Sequence, residues 1–489
     1  MLLASVDLGS NSFRLEIGRV DADRILTQNY WKETVRLSAG LDQNNALTAQ
    51  CQEAALDVLA RFHELIGQFP PSHVRAVGTQ ALRLASNADT FLTKAQQVLG
   101  FPIEILPGQE EARLIFEGCS YRLPYSEEKR LIIDIGGGST ELALGHKHRA
   151  LRCASFHIGC VNTTLECFPQ GKISRELFNK AVLFVRAEIN RAHERFNQSE
   201  FAQAYGSSGT MEALETMSVA LGLTQPGQPI TQEHLATMTQ AILRFDNISE
   251  LSIESLPDSR KEVIIGGLAV LTAVFEVLNL KNICSCTGAL RVGLLYDLLE
   301  RKTDKDIRES SAAGLLSMLA VDRAQALRMR ETALTLLAQL WPDCPTETVL
   351  LFGWSALLHE VGATLSHSKY HYHSAYILKH SDLAGFSRSN QDFMSLLALS
   401  QRGQLIKVES FLKHDKNALL ILCLRLARIF VNHRRDIELP RLQLTQGPDG
   451  FELSLPRAWL NEHPLTHLLL ENEVCVWNTV KYQFTLSDF

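Results

Sequence analysis

The stretch Leu131-Ile132-Ile133-Asp134-Ile135-Gly136-Gly137-Gly138-Ser139-Thr140-Glu141-Leu142 limits the fold more than any other part of the chain. Its apolar start reads as a buried strand, and the three glycines force a turn at the strand's end. Without side chains, the N–H groups of that turn can approach an anion closely. Asp134 comes just before the turn and Glu141 just after it. Amides that cradle a phosphate between two carboxylates suit a phosphate bound together with a divalent metal.

The N-terminus repeats the design. Leu2 to Val6 reads as a strand, Asp7-Leu8-Gly9-Ser10-Asn11-Ser12 as the turn, and Phe13 to Val20 as the returning strand. Two copies of one phosphate-hairpin unit predict two similar lobes facing a cleft. A third strand-to-turn unit, Gly206-Ser207-Ser208-Gly209-Thr210, runs into a helix from Met211, and the N–H groups at a helix start bind anions.

Other elements fall around these turns. Helical periodicity covers Leu47 to Phe69, and His73 to Gly78 is a strand ending near Arg83, where α/β sheets place ligand contacts. Asn87 is expected to cap the next helix. A further helix opens with Gln109-Glu110-Glu111-Ala112-Arg113. Acids at a helix start suit the dipole, and one of the two also suits a base that deprotonates an attacking water. Arg113 is expected either to bind phosphate or to pair with an acid. Pro124 to Arg130 is the expected boundary between lobes, and Arg301 to Asp306 a linker. Beyond it the pattern is helical: Ala313 to Leu340, Val349 to Glu360, Ser374 to Lys379, Gln391 to Ser400 and Ala418 to His433. Histidines concentrate there (His359, His367, His371, His373, His380). His359-Glu360 invites a metal, against the plainer reading of packing histidines. A small β-β-α-β portion closes the chain.

At 489 residues, the chain exceeds one core, so two to four domains are expected. A net charge of -6 leaves no global basic field for nucleic acid, so a polyanionic substrate needs a local basic site. Ten scattered cysteines without a C-x-x-C pair read as reduced thiols of a cytoplasmic protein. The N-terminus lacks a signal-peptide pattern, and no apolar run is long enough to span a bilayer, so no membrane insertion is expected.

These residues together resemble the exopolyphosphatase/guanosine pentaphosphate phosphatase (Ppx/GppA) family. The resemblance rests on Asp7 to Phe13, Gly78 to Arg83, Glu110 to Ile115, Asp134 to Glu141, Gly206 to Thr210 and Gly288 to Gly293, in family order. Sugar kinases, actin and heat-shock ATPases share the glycine turns, but not their combination with the E-E-A-R helix. The resemblance implies an α/β fold: two actin-like (ribonuclease-H-like, ASKHA) lobes, followed by an all-α HD-like domain and a small C-terminal α+β appendage. The expected domains are 1–124, 125–302, 303–436 and 437–489.

It also implies magnesium-dependent hydrolysis of terminal phosphoanhydride bonds. Glu111 looks like the family's base, with Asp134 and Glu141 as catalytic acids. Asp134, Glu141 and Asp7 are expected on the metal. Phosphate contacts are expected from Gly9, Ser10, Asn11, Ser12, Arg83, Arg113, Gly136, Gly137, Gly138, Ser139, Thr140, Ser207, Ser208, Gly209 and Thr210. Inorganic polyphosphate is the leading substrate, guanosine pentaphosphate (pppGpp) the alternative, and a homodimer the expected assembly. An actin-like kinase would need an adenosine pocket and an acceptor-activating acid, neither of which is visible in the sequence. A non-catalytic sensor would not need intact Glu111, Asp134 and Glu141. The helical region departs from a working HD site: Glu360 stands for the Asp, and Arg323-Ala324-Gln325-Ala326 lacks the expected histidine. Ser400-Gln401-Arg402-Gly403 replaces the basic segment of the long members, which is expected to alter contacts to long polyphosphate.

Overall fold

The computed structural model describes all residues except 23, 197, 254, 255, 302 to 305, 437, 438 and 449. It divides into two compact units, Met1–Asp306 and Ile307–Phe489. Most of the linker expected over Arg301 to Asp306 lies outside the described residues.

The first unit holds two sheets of one topology. In the first, β1 (Leu2–Leu8), β2 (Ser12–Asp21) and β3 (Arg24–Thr34) form an antiparallel meander, and β4 (Val74–Gly78) and β5 (Ile103–Ile105) add in parallel on the side of β1. In the second, β6 (Lys129–Ile135), β7 (Thr140–His146) and β8 (Arg149–Phe156) form the same meander. There β9 (Gln203–Ser207), β10 (Ile230–Thr231) and β11 (Asn282–Ser285) complete the order β10-β11-β9-β6-β7-β8. The glycine turns join β1 to β2 and β6 to β7, where side chains would block the backbone. A Cβ on Gly9 would stand 2.8 Å from the Ser12 carbonyl.

Each lobe has its own apolar core, one around Phe13, Phe62 and Phe91, the other around Leu131, Met211 and Leu268. A third core lies between them, formed by the helices Gly108–Arg122 and Leu290–Glu300. These helices cross over. Gly108–Arg122 follows β5 yet packs on β7 and β8, and Leu290–Glu300 follows β11 yet packs on β1, so the lobes do not separate at residue 124 as expected. Gly118 and Gly293 permit the crossing. A Cβ on Gly293 would meet the Leu114 carbonyl at 1.9 Å, and one on Gly118 the Ala289 carbonyl at 2.2 Å.

In the second unit, the helix expected over Ala313 to Leu340 is two, Ile307–Met318 and Arg323–Leu340. The chain breaks at Ala320, which has a left-handed φ of 49°, and Asp322 caps the second helix by accepting from Gln325 N. Strands β12 (Gln443–Gln446), β13 (Gly450–Leu455) and β14 (Gln483–Asp488) form a small sheet. Leu444, Phe451, Phe484 and Trp477 share one core with Leu336, Leu419 and Phe430 of the helices. The appendage expected at 437–489 is therefore not a separate domain, because its apolar face is covered by the helices. Asn87 does not cap the helix Ala88–Leu99 with its side chain; that amide instead pairs with the backbone N and O of Leu47.

Candidate active site

A cleft between the lobes is lined by both glycine turns, by Asp7, Glu111 and Asp134, and by Ser208, Gly209 and Thr210. Strand register explains how the acids arrive together. Asp7 pairs with Arg14 across β1 and β2, and Asp134 with Glu141 across β6 and β7, seven residues apart in each case. Arg14 is thus the counterpart of Glu141 in the first lobe. Sequence reading missed it, although overlaying the two repeats points to it.

Four buried carboxylates share this place. Burial raises Asp7, and its Oδ1 has no hydrogen-bond partner, while Arg14 Nη1 donates to Oδ2 at 3.3 Å. Burial pushes Asp134 up to about 6, with Glu111 and Asp7 adding to the shift and Ser207 and Arg14 opposing it. Glu141 accepts from Ser155 Oγ at 2.8 Å and is held well above the usual carboxylate range by burial, by Glu111 and by Asp134. Burial also raises Glu111, with Arg83 pulling the other way. Acids that raise one another inside a low-dielectric cleft gain from a cation there.

Among the described residues, no three His, Cys, Asp or Glu side chains stand as a ready metal cage. Magnesium needs none, since it commonly takes one or two carboxylates with water and substrate phosphate filling the remaining positions. The unpartnered Asp7 Oδ1 and the raised Asp134 fit that ion.

Two cations complete the cleft. Arg14 is held above its usual value because Asp7 and Asp134 outweigh the cost of its burial. Arg260 also lines the cleft, so close to the third turn that a Cβ on Gly209 would meet its Nη2 at 1.9 Å. Burial lowers it, which marks a desolvated charge. Nothing in the local sequence around Arg260 signals a phosphate site. Ser208 takes a left-handed φ of 84° at the start of its helix, a strained conformation for a residue with a Cβ.

Several expected phosphate contacts stand elsewhere. Arg83 donates to Gln80 Oε1, Leu106 O and Glu111 Oε2 (2.7 Å) and does not itself line the cleft. Arg113 is buried among Glu110, Glu117 and Asp297 and does not line the cleft. The Thr140 hydroxyl donates to Ile158 O and the Ser207 hydroxyl to Gly288 O, and neither residue lines the cleft. Gly138 lies against Gln80 and Ser38, and Glu141, expected as a catalytic and metal acid, stands opposite Asp134 across β6 and β7 without itself lining the cleft.

In the helical unit, His359 is buried with Nδ1 against Ala356 O, and burial pushes it down to about 4. Both Glu360 oxygens accept from Arg434 at 2.7 Å. Gln325 donates to Val431 O where a histidine was sought. Of the other histidines, His371 is buried and His367 and His380 are exposed.

Paired actin-like lobes, with acids, arginines and backbone amides converging on one cleft, define a phosphoryl-transfer enzyme of the actin-like class. The chain belongs to the Ppx/GppA phosphatase family: residues 18–302 match that family and residues 307–474 match its domain III. It is 35% identical over 492 residues to a guanosine-5'-triphosphate,3'-diphosphate pyrophosphatase of Photobacterium profundum, covering 100% of this chain and 98% of the relative. A protein of the same name from Aeromonas hydrophila is 35% identical over 97% of this chain and 96% of its own. Among solved structures, an exopolyphosphatase-like protein is 25% identical with a TM-score of 0.56, covering 62% of this chain and 98% of the other. The Aquifex aeolicus family member is 24% identical at a TM-score of 0.53, with the same coverages, a likeness of fold alone.

Proposed function

We propose that this chain hydrolyses the terminal 5′ phosphoanhydride of guanosine pentaphosphate, releasing orthophosphate and guanosine tetraphosphate. The observation that carries this choice is identity of 35% along both units to relatives named for that substrate. Inorganic polyphosphate, the substrate first expected, becomes the second reading, because the chemistry at the cleft is common to both.

The terminal phosphate lies between the turns Gly9–Ser12 and Gly136–Ser139, whose amides meet its oxygens. Arg14 and Arg260 neutralise charge as the bridging bond breaks. Glu111 takes a proton from a water aligned for in-line attack; the water oxygen bonds phosphorus, and the leaving oxygen keeps the electron pair of the broken bond. Asp7 and Asp134 would hold magnesium, which supplies charge neutralisation at the phosphate oxygens. Glu141 stands beside Asp134 across β6 and β7, accepting from Ser155 Oγ at 2.8 Å. Arg83 keeps Glu111 oriented and favours its charged form.

None of the ten cysteines is disulfide-bonded, and no described helix is long and apolar enough to cross a membrane. The unpaired cysteines support a cytoplasmic setting. The test is phosphate release with magnesium from guanosine pentaphosphate and from long-chain polyphosphate, for wild type and Glu111→Ala. Faster turnover of the nucleotide, abolished in the variant, is expected; preference for polyphosphate overturns the substrate, and full activity in Glu111→Ala overturns the base.

A further inference from the structure

The helix Gly108–Arg122 carries two charged faces. At about 100° per residue, Glu111 and Ile115 fall together, and Glu110, Arg113 and Glu117 fall on another side. The first pair lines the cleft. The second set meets the helix Leu290–Glu300. Arg113 grips both oxygens of Glu110 at 2.7 Å, donates to Glu117 at 2.6 Å, and donates through Nη2 to Asp297 Oδ1 at 2.6 Å. Asp297 Oδ2 accepts from Arg301 Nε at 2.8 Å and from Arg75 of β4. Asp297 is 2% exposed, Arg75 3% and Arg113 5%, so these pairs are shielded from water and salt.

The N-cap of that helix is Pro107, whose side chain cannot accept from the first-turn N–H groups, so side chains hold the first turn: Arg83 on Glu111 and Arg113 on Glu110. Two consecutive glutamates stand there, and a rotation of the first turn would exchange them. Arg83 holds Glu111 from the cleft side, the grip of Arg113 on Glu110 opposes the rotation from the other side, and Asp297 ties Arg113 to Arg75 of β4.

We propose that Asp297 is a positioning residue for hydrolysis, holding Glu111 in the cleft through Arg113 and Glu110. This rests on the reading of Glu111 as the base. The Gly118–Gly293 approach sets how closely the helices cross; the Arg113–Asp297 pair sets which side of the first turn faces the substrate.

The test uses the full chain and compares wild type, Glu111→Gln, Asp297→Asn, Arg113→Gln and the double variant of the last two. Asp297→Asn keeps the shape of the side chain and removes its charge. It is expected to lower kcat by roughly 10- to 100-fold, as small misplacements of a reacting group do, with KM changed by less than about threefold. The double variant should be no worse than the more severe single one, since both break one clamp. Thermal unfolding followed in parallel separates positioning from stability. Near-wild-type kcat in Asp297→Asn, a loss confined to KM, or a kcat loss that disappears below the melting transition would each overturn the proposal. If Asp297→Asn does not fold, Arg113→Lys, which keeps the charge and loses the two-pronged grip, is held to the same criteria. An active Glu111→Gln enzyme instead defeats the reading of the base, which distinguishes that failure from failure of the clamp.

Discussion

Arg83 Nη1 donates to Glu111 Oε2 at 2.7 Å, and the same guanidinium is held by Gln80 and by the Leu106 carbonyl. The pair joins the short helix Gln80–Leu84, which follows β4, to the first turn of the helix Gly108–Arg122. Arg83 works against burial, the larger influence on Glu111.

Removing Arg83 therefore has a defined direction. In Arg83→Met, burial and Asp7 raise Glu111 without that guanidinium opposing them, so Glu111 stays protonated to higher pH. The acidic limb of kcat/KM against pH should move upward, with activity at neutral pH lost first and activity at alkaline pH recovered. A pH–rate profile of the variant beside wild type checks this, and an unmoved acidic limb contradicts it.

Magnesium dependence should sharpen as pH falls. Asp134 sits at about 6, so protons compete with a cation there. The magnesium needed for half-maximal rate should rise as pH drops through about 6, and Asp134→Asn and Asp7→Asn should each raise it at neutral pH, since each removes a charged ligand. Titration of magnesium by calorimetry, without substrate, gives a readout that does not depend on turnover. Removal of the metal with a chelator should stop hydrolysis and leave the fold intact.

The two-lobed fold was legible because the phosphate hairpin occurs twice. Strand, Asp, glycine and small polar residues in two places require two similar sheets, and both sheets are present with one topology. Turns and acids were legible because local chain geometry dictates them. Arginines were not. Arg14 and Arg260 reach the cleft from a strand and from the short helix Asp258–Lys261, whereas Arg113 turns away from it and Arg83 reaches it only through Glu111, although both lie close to motif residues in sequence. A long flexible side chain is placed by its partners, and those partners, such as Asp297 for Arg113, lie far along the chain. The crossing of the two central helices was hidden for the same reason, since it depends on Gly118 and Gly293 meeting across 175 residues of sequence. The break at Ala320 was missed because apolar periodicity continues through it, and only the capping Asp322 marks a new start.

Glycines that look alike should behave oppositely when replaced. In Gly293→Ala the new methyl would lie 1.9 Å from the Leu114 carbonyl, a backbone atom in a packed helix that cannot yield. A loss of about 1–3 kcal/mol or more is expected from such overpacking. Gly314, inside the helix Ile307–Met318, has nothing within 4 Å of its added Cβ. Gly314→Ala should gain roughly 0.5–1 kcal/mol from helix propensity. Denaturant unfolding of both variants checks the contrast, and equal effects would remove the close helix crossing from the account.

Glu117 gives stability its own pH dependence. Burial pushes its carboxyl up to about 8, with Asp297, Glu300 and Glu110 adding to the shift and Arg113 opposing it. The folded state therefore holds a proton that the unfolded chain, with a pKa near the ordinary 4.5, gives up. Its stabilising contribution is complete below about 4.5 and is lost as pH rises through about 8. In Glu117→Gln the side chain can still meet Arg113 and no longer titrates. Across the range from about 5 to 9, wild type should lose on the order of 1–4 kcal/mol relative to this variant. Urea midpoints of the two proteins, measured together at each pH, test the slope. Parallel curves would mean that Glu117 is already ionised beside Arg113 at neutral pH.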